Sequence, residues 1–104
     1  MKEFEAKRCS RLLRILADPE RLRIIQCLSG GPKSVSDIAE LLGKRVVKVS
    51  HHLSVLRHAG LVNDQRQGRF VIYELRPEFY QPAQEAETSD HLNLGCCRLE
   101  VPKE

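Results

Sequence analysis

VSHHLSVLRHAGLV, residues Val49 to Val62, reads as most of one helix, a glycine stop and the start of a strand. Val46, Val49, Leu53 and Leu56 recur at spacings of three, four and three, which puts them on one apolar stripe. The other side carries Lys44, Arg45, Lys48, His51 and His52, and no Asp or Glu occurs from Leu41 through Asn63. A helix that buries one edge and offers only cationic or hydrogen-bonding groups on the other suits a polyanion, and duplex DNA is the obvious one.

Working outward, Ser36 is placed to cap a short preceding helix from Asp37 to Leu42, with Ile38, Leu41 and Leu42 facing inward. Gly43 suits the left-handed position that closes it, and the next helix runs from about Arg45 to His58. Two helices joined so tightly make a helix-turn-helix. Downstream, Leu61 and Val62 open one strand and Phe70 to Leu75 form another, with the polar, turn-prone NDQRQGR between them. That is a β-hairpin with a basic tip, a wing. Upstream, residues 3–16 carry Ala6, Cys9, Leu13 and Leu16 on one stripe, widened by Phe4, Leu12 and Ile15. Asp18 and Pro19 have the form of an N-cap and first helical residue. The helix they start ends before Gly30, Gly31 and Pro32 and should bury Leu22, Ile25 and Leu28. The expected fold is therefore α+β, mostly α: a winged helix-turn-helix with a two-stranded hairpin wing.

Charge divides the 104 residues unevenly. Residues 1–82 hold 15 Lys and Arg against 9 Asp and Glu, and residues 83–104 hold 2 against 5. We read 1–82 as a DNA-binding and dimerisation domain and 83–104 as an acidic C-terminal extension bearing a vicinal cysteine pair. A domain this small buries a limited share of its surface, so a homodimer interface is expected. No run is apolar enough to cross a membrane and the first residues have no leader pattern, which implies a cytoplasmic chain with reduced thiols. There is no phosphate-cradling glycine loop, no HExxH pair and no nucleophile elbow, so the chain does not read as an enzyme.

The expected DNA contacts are Lys44, Arg45, Lys48, Ser50, His51 and His52 on the second helix of the pair, with Arg66 and Arg69 at the wing tip. A major groove about 12 Å wide admits one helix, whose exposed side chains read base edges. Of the two histidines, His51 is the better contact and His52 the one whose ring covers the core edge. Arginines on a thin loop reach a minor groove or its phosphates; the bland alternative is a hairpin tip kept soluble by charge. Cys27 reads as a buried small hydrophobe. Cys96 and Cys97 are adjacent thiols, suited to a soft metal ion or to oxidation, and a third ligand would have to be His91, or Cys9 of the same or a partner chain. The only cofactor in view is thus a thiophilic metal ion, or none.

Together LADPERLRIIQCL, SVSDIAELLG, VSHHLSVLRHAGLV and RQGRFVIYEL, in that order and spacing, resemble the ArsR/SmtB family of bacterial winged-helix repressors over about Leu12 to Leu75. The resemblance implies a homodimer that binds an operator palindrome and leaves it when a metal or other signal arrives, with Lys44 to Arg57 as turn and recognition helix. Where such proteins often carry Ser then Gln at the start of that helix, this chain has Arg45 and Val46, so its base preference should differ. SDIAELL lacks the metal-binding thiols some members carry there, and prolines interrupt the last helix used by zinc-sensing members. Cys9 with Cys96 and Cys97 is left as the thiol cluster. Two rival readings are a DNA-binding regulator with passive cysteines and a winged-helix protein-interaction module.

Overall fold

The computed structural model of the chain describes residues 1–83 and 89–102. Among these, four helices form the body: α1 (Glu3–Leu16), α2 (Pro19–Ser29), α3 (Val35–Leu42) and α4 (Val46–His58). Strands β1 (Lys33–Ser34), β2 (Val62–Gln67) and β3 (Phe70–Leu75) make one antiparallel sheet in the order β1-β3-β2. Strands β4 (Tyr80–Gln81), β5 (Asp90–Asn93) and β6 (Arg98–Val101) make a second in the order β4-β5-β6. No described helix is long and apolar enough to cross a membrane.

Local chemistry sets most boundaries. Asp18 caps α2 by accepting the backbone N–H groups of Glu20 at 2.9 Å and Arg21 at 3.0 Å, and Pro19 follows where its missing N–H is no loss. Gly43 closes α3 at φ 66°, a conformation that favours glycine. The cap of α3 is Ser34 rather than Ser36: its hydroxyl accepts the N–H of Asp37 at 3.1 Å. Pairing of Ser34 with Ile72 of β3 holds the chain extended there, so the helix starts directly after the strand.

Leu12, Leu16, Ile24, Ile25, Leu28, Ile38, Val49, Leu53, Leu56, Leu61 and Val62 form the centre of the core. Several residues expected inside are not. Phe4, Leu13, Leu22, Leu41 and Val46 are exposed, while Ile24 and Ala39 are buried instead. The helices are where their patterns placed them, and Ile25, Leu28, Ile38 and Leu42 are buried as expected. The covered arcs of α2 and α3 take in Ile24 and Ala39 in place of Leu22 and Leu41 because each helix is packed by several neighbours.

The wing is tighter than its sequence suggested. β2 and β3 pair from Val62 with Leu75 to Gln67 with Phe70, which leaves only Gly68 and Arg69 in the turn. Gly68 has φ 60° at the first turn position, where a two-residue type II′ connection calls for glycine. Residues 63–67 are therefore strand, not loop, and β1 adds a third strand to the expected two.

Of the acidic extension, residues 84–88 and 103–104 lie outside the described residues. The rest packs down: Leu92, Leu94 and Val101 belong to the same apolar cluster as the helices. Gln26 of α2 also donates to the carbonyl of Pro102 at 2.8 Å. The charge boundary at residue 82 is thus not a core boundary.

Candidate DNA interface and thiol cluster

One face of α4 is committed to the core through Val49, His52, Leu53 and Leu56. The opposite face carries Val47, Ser50 and His51, all exposed, with Ser54 half-buried a turn further on. These four residues share one stripe by helical spacing. Val47 is 79% exposed, which is unusual for a valine and leaves its methyls open to an apolar contact. Arg45 flanks the first turn of α4 without a side-chain cap, so the leading N–H groups there are unsatisfied by side chains, with exposed Lys44 and Arg45 beside them.

The inner edge of α4 meets the first turn of α2 through a charge network. Glu20 places one carboxylate oxygen 2.8 Å from Nζ of Lys48 and the other 3.3 Å from Nε2 of His52. Arg21 reaches Nδ1 of the same imidazole at 3.3 Å and also donates to the carbonyl of Ile15. The hydrogen bond from Lys48 holds the Glu20 carboxyl below its ordinary range, and the same bond raises the Lys48 ammonium above its own. Asp18 is likewise lowered, first by the backbone N–H of Arg21.

This network alters the set of candidate contacts. Lys44, Arg45, Ser50 and His51 are exposed as expected. His52 is buried against α2, so its ring anchors the helix and is not on the outward face. Lys48 is exposed, but its ammonium is already paired. Sequence reasoning missed Glu20 because the pairing is between helices. The available signal was two basic residues one turn apart on an edge that adjoins the core, which asks for an acid opposite.

On the wing, Arg66 is exposed on β2 and Arg69 in the turn. The guanidinium of Arg69 stacks over the Phe70 ring at 5.2 Å, which steadies it without neutralising it. β2 packs directly on α4.

The thiols converge from opposite ends of the chain. Cys9 on α1 and Cys96 in the β5–β6 turn form a disulfide, with Cα atoms 6.2 Å apart. Cys97 has an exposed thiol 3.7 Å from the Cys96 sulfur. The three sulfurs all lie within 4.8 Å of one another. His91 does not join them. It is buried, with Nδ1 accepting from Arg98 at 3.0 Å and Nε2 lying 2.6 Å from the Gln81 side-chain oxygen. Cys27 is packed in the core. In reduced form the three-sulfur group fits a soft, thiophilic ion, whereas three donors do not complete a tetrahedral zinc site.

Comparison with known proteins places this geometry. The family model described as bacterial regulatory protein, arsR family, matches residues 18–64, from the α2 cap into β2. The HTH-type transcriptional regulator NmtR of Mycobacterium tuberculosis is 45% identical over 85 residues, 80% of this chain and 71% of that one. The chain belongs to the arsR family. The arsenical resistance operon repressor of Escherichia coli is 41% identical to this ArsR-family chain over 80 residues, covering 76% of it and 67% of the relative. Among solved structures, HlyU from Vibrio cholerae is similar with a TM-score of 0.68 and 31% identity, over 71% of this chain and 80% of that one. As a member of the ArsR family the protein is a winged-helix, DNA-binding transcription regulator and not an enzyme.

Proposed function

We propose that this ArsR-family protein is a cytoplasmic, homodimeric repressor that leaves its operator when Cys9, Cys96 and Cys97 take up a soft metal or metalloid ion, or are oxidised. The observation that carries this reading is the meeting of three sulfurs within 4.8 Å, two from the β5–β6 turn and one from α1. Val47, Ser50 and His51 face base edges; Lys44, Arg45, Arg66 and Arg69 face phosphates or the minor groove. Half-sites stand about 34 Å apart, one turn of duplex. The exposed apolar residues of α1, Phe4 and Leu13, offer a surface for the second subunit. Joining Cys9 to the Cys96–Cys97 turn fixes α1 against the C-terminal sheet, and through α1 the signal reaches the angle between subunits.

The probes follow from the relatives: one is named an arsenical resistance operon repressor, another the cadmium resistance regulatory protein CadC of Listeria innocua. The test is a mobility-shift titration of reduced protein on a duplex selected from a randomised pool, with cadmium, arsenite or hydrogen peroxide added. Oxidation of Cys9 and Cys96 transfers two electrons and two protons to the peroxide, giving disulfide and water. Wild type is expected to release the duplex and Cys96→Ser/Cys97→Ser to hold it. Full release from the double variant would move the sensor elsewhere. No release from wild type would favour a regulator with passive cysteines.

A further inference from the structure

Glu20 lies in the first turn of α2, yet its carboxylate is turned onto α4, with one oxygen paired and the other buried. They meet Lys48 at 2.8 Å and His52 at 3.3 Å, two residues one turn apart on the same edge of the helix. The Glu20 side chain is only 17% exposed, while that of Lys48 is 57% exposed. Lys48 borders the outward stripe of Val47, Ser50 and His51. Its ammonium is therefore in the position of a sequence-blind phosphate contact, and a carboxylate offers it the same kind of two-oxygen anionic edge a phosphate does.

We propose that Glu20 is a specificity-determining positioning residue: it holds Lys48 in an intramolecular ion pair and so withholds one cation per subunit from sequence-independent DNA binding. An ordinary surface ion pair would yield to DNA, because solvent screens it and both side chains are free to leave. Glu20 is not ordinary in this sense. Its side chain is largely shielded, which limits screening. Its second oxygen, buried and accepting no hydrogen bond among the described residues, packs 3.3 Å from His52, a ring contacted from its other side by Arg21. Lys44 adds attraction at the same carboxylate.

The consequence concerns competition. Binding to arbitrary DNA is almost wholly electrostatic, and arbitrary sites vastly outnumber the operator. Removing one cation from that background, while the outward stripe of α4 remains free to read bases, raises the ratio of specific to non-specific binding. The inference rests on α4 being the DNA-facing helix and is independent of the thiol signal.

The test is fluorescence anisotropy of reduced protein on a mixed-sequence duplex across a salt series. Glu20→Gln is expected to bind it more tightly than wild type, with the slope of log affinity against log salt steeper by about 0.9 per subunit, one added phosphate. Glu20→Gln/Lys48→Gln removes both charges of the pair together and is expected to restore the wild-type slope. Circular dichroism reports folding, and should Glu20→Gln fail to fold, Lys48→Gln with Glu20 intact is measured instead: an unchanged slope is expected, and a slope shallower by about 0.9 per subunit overturns the proposal. An unchanged slope in folded Glu20→Gln overturns the proposal, as does a slope shallower than wild type by about 0.9 per subunit in the double variant, which would mean that Lys48 already neutralises a phosphate. A wild-type slope near zero overturns the DNA-facing assignment of α4 as well.

Discussion

The Tyr80 hydroxyl stands 2.9 Å from one oxygen of the Asp90 carboxylate, whose other oxygen accepts the N–H of Ala83 at 2.6 Å. The same hydroxyl lies 3.0 Å from the carbonyl of Ser29 at the end of α2. One phenol thus ties the start of the second sheet both to its own central strand and to the helical body.

Burial, and then the Asp90 carboxylate, push the Tyr80 phenol up from 10.0 to about 12. The folded protein keeps this proton where the unfolded chain loses it. The stabilisation is whole below about pH 10 and is lost as pH rises toward 12. Absorbance titration of tyrosinate should show a step at about 12 in wild type that Tyr80→Phe removes, leaving the Tyr73 phenol, itself raised by burial. A wild type whose tyrosines both ionise at the ordinary value would contradict the hydrogen bond.

Asp18 carries the opposite sign. Its carboxyl is lowered, mainly by the backbone N–H of Arg21, so its contribution is present above the ordinary carboxylate range and fades as pH falls through the depressed value. Asp18→Ala removes the cap and should cost about 1 kcal/mol at neutral pH. Thermal melts at pH 7 and pH 3 check both points: the variant should lose less on acidification than wild type.

Ser50 and His51 are exposed and outside the core, so their loss should not unfold the protein. Ser50→Ala/His51→Ala should weaken binding to a selected operator by about 1–3 kcal/mol and leave the thermal midpoint in place. Binding measured beside a melt separates the two effects. Undiminished affinity would point to a different reading surface.

If each subunit neutralises four or five phosphates, the dimer should show a salt slope of roughly −7 to −9. Arg66→Gln/Arg69→Gln should then make it shallower by up to about 1.8 per subunit, and with little change in fold, since both side chains are exposed. A slope that does not move would leave the wing out of the interface.

Much of this architecture was legible because it is local. The Asp18–Pro19 start, the Gly43 stop and the alternation from Phe70 to Leu75 are short-range rules, and the elements stand where those rules put them. What was misread depends on distant partners. Leu22 and Leu41 lie outside because which arc of α2 and α3 is covered is set by several neighbours distant in sequence. Ser34 takes the capping role because β3 arrives to pair with it. The C-terminal strands β4, β5 and β6 escaped notice because each has four residues or fewer, although Leu92, Leu94, Leu99 and Val101 alternate about Gly95. At the candidate interface the exposure of Ser50 and His51 followed from helical spacing, whereas the clamp on Lys48 and His52 required knowing that α2 lies across α4.

Ser34 ends a strand of the wing sheet and also caps the first helix of the helix-turn-helix. With no residue between strand and helix, the hairpin and the helix pair share a single joint at Ser34. If that joint keeps its angle, a rod-like partner that touches both is gauged as by a caliper, and selectivity would extend to how far apart its grooves lie.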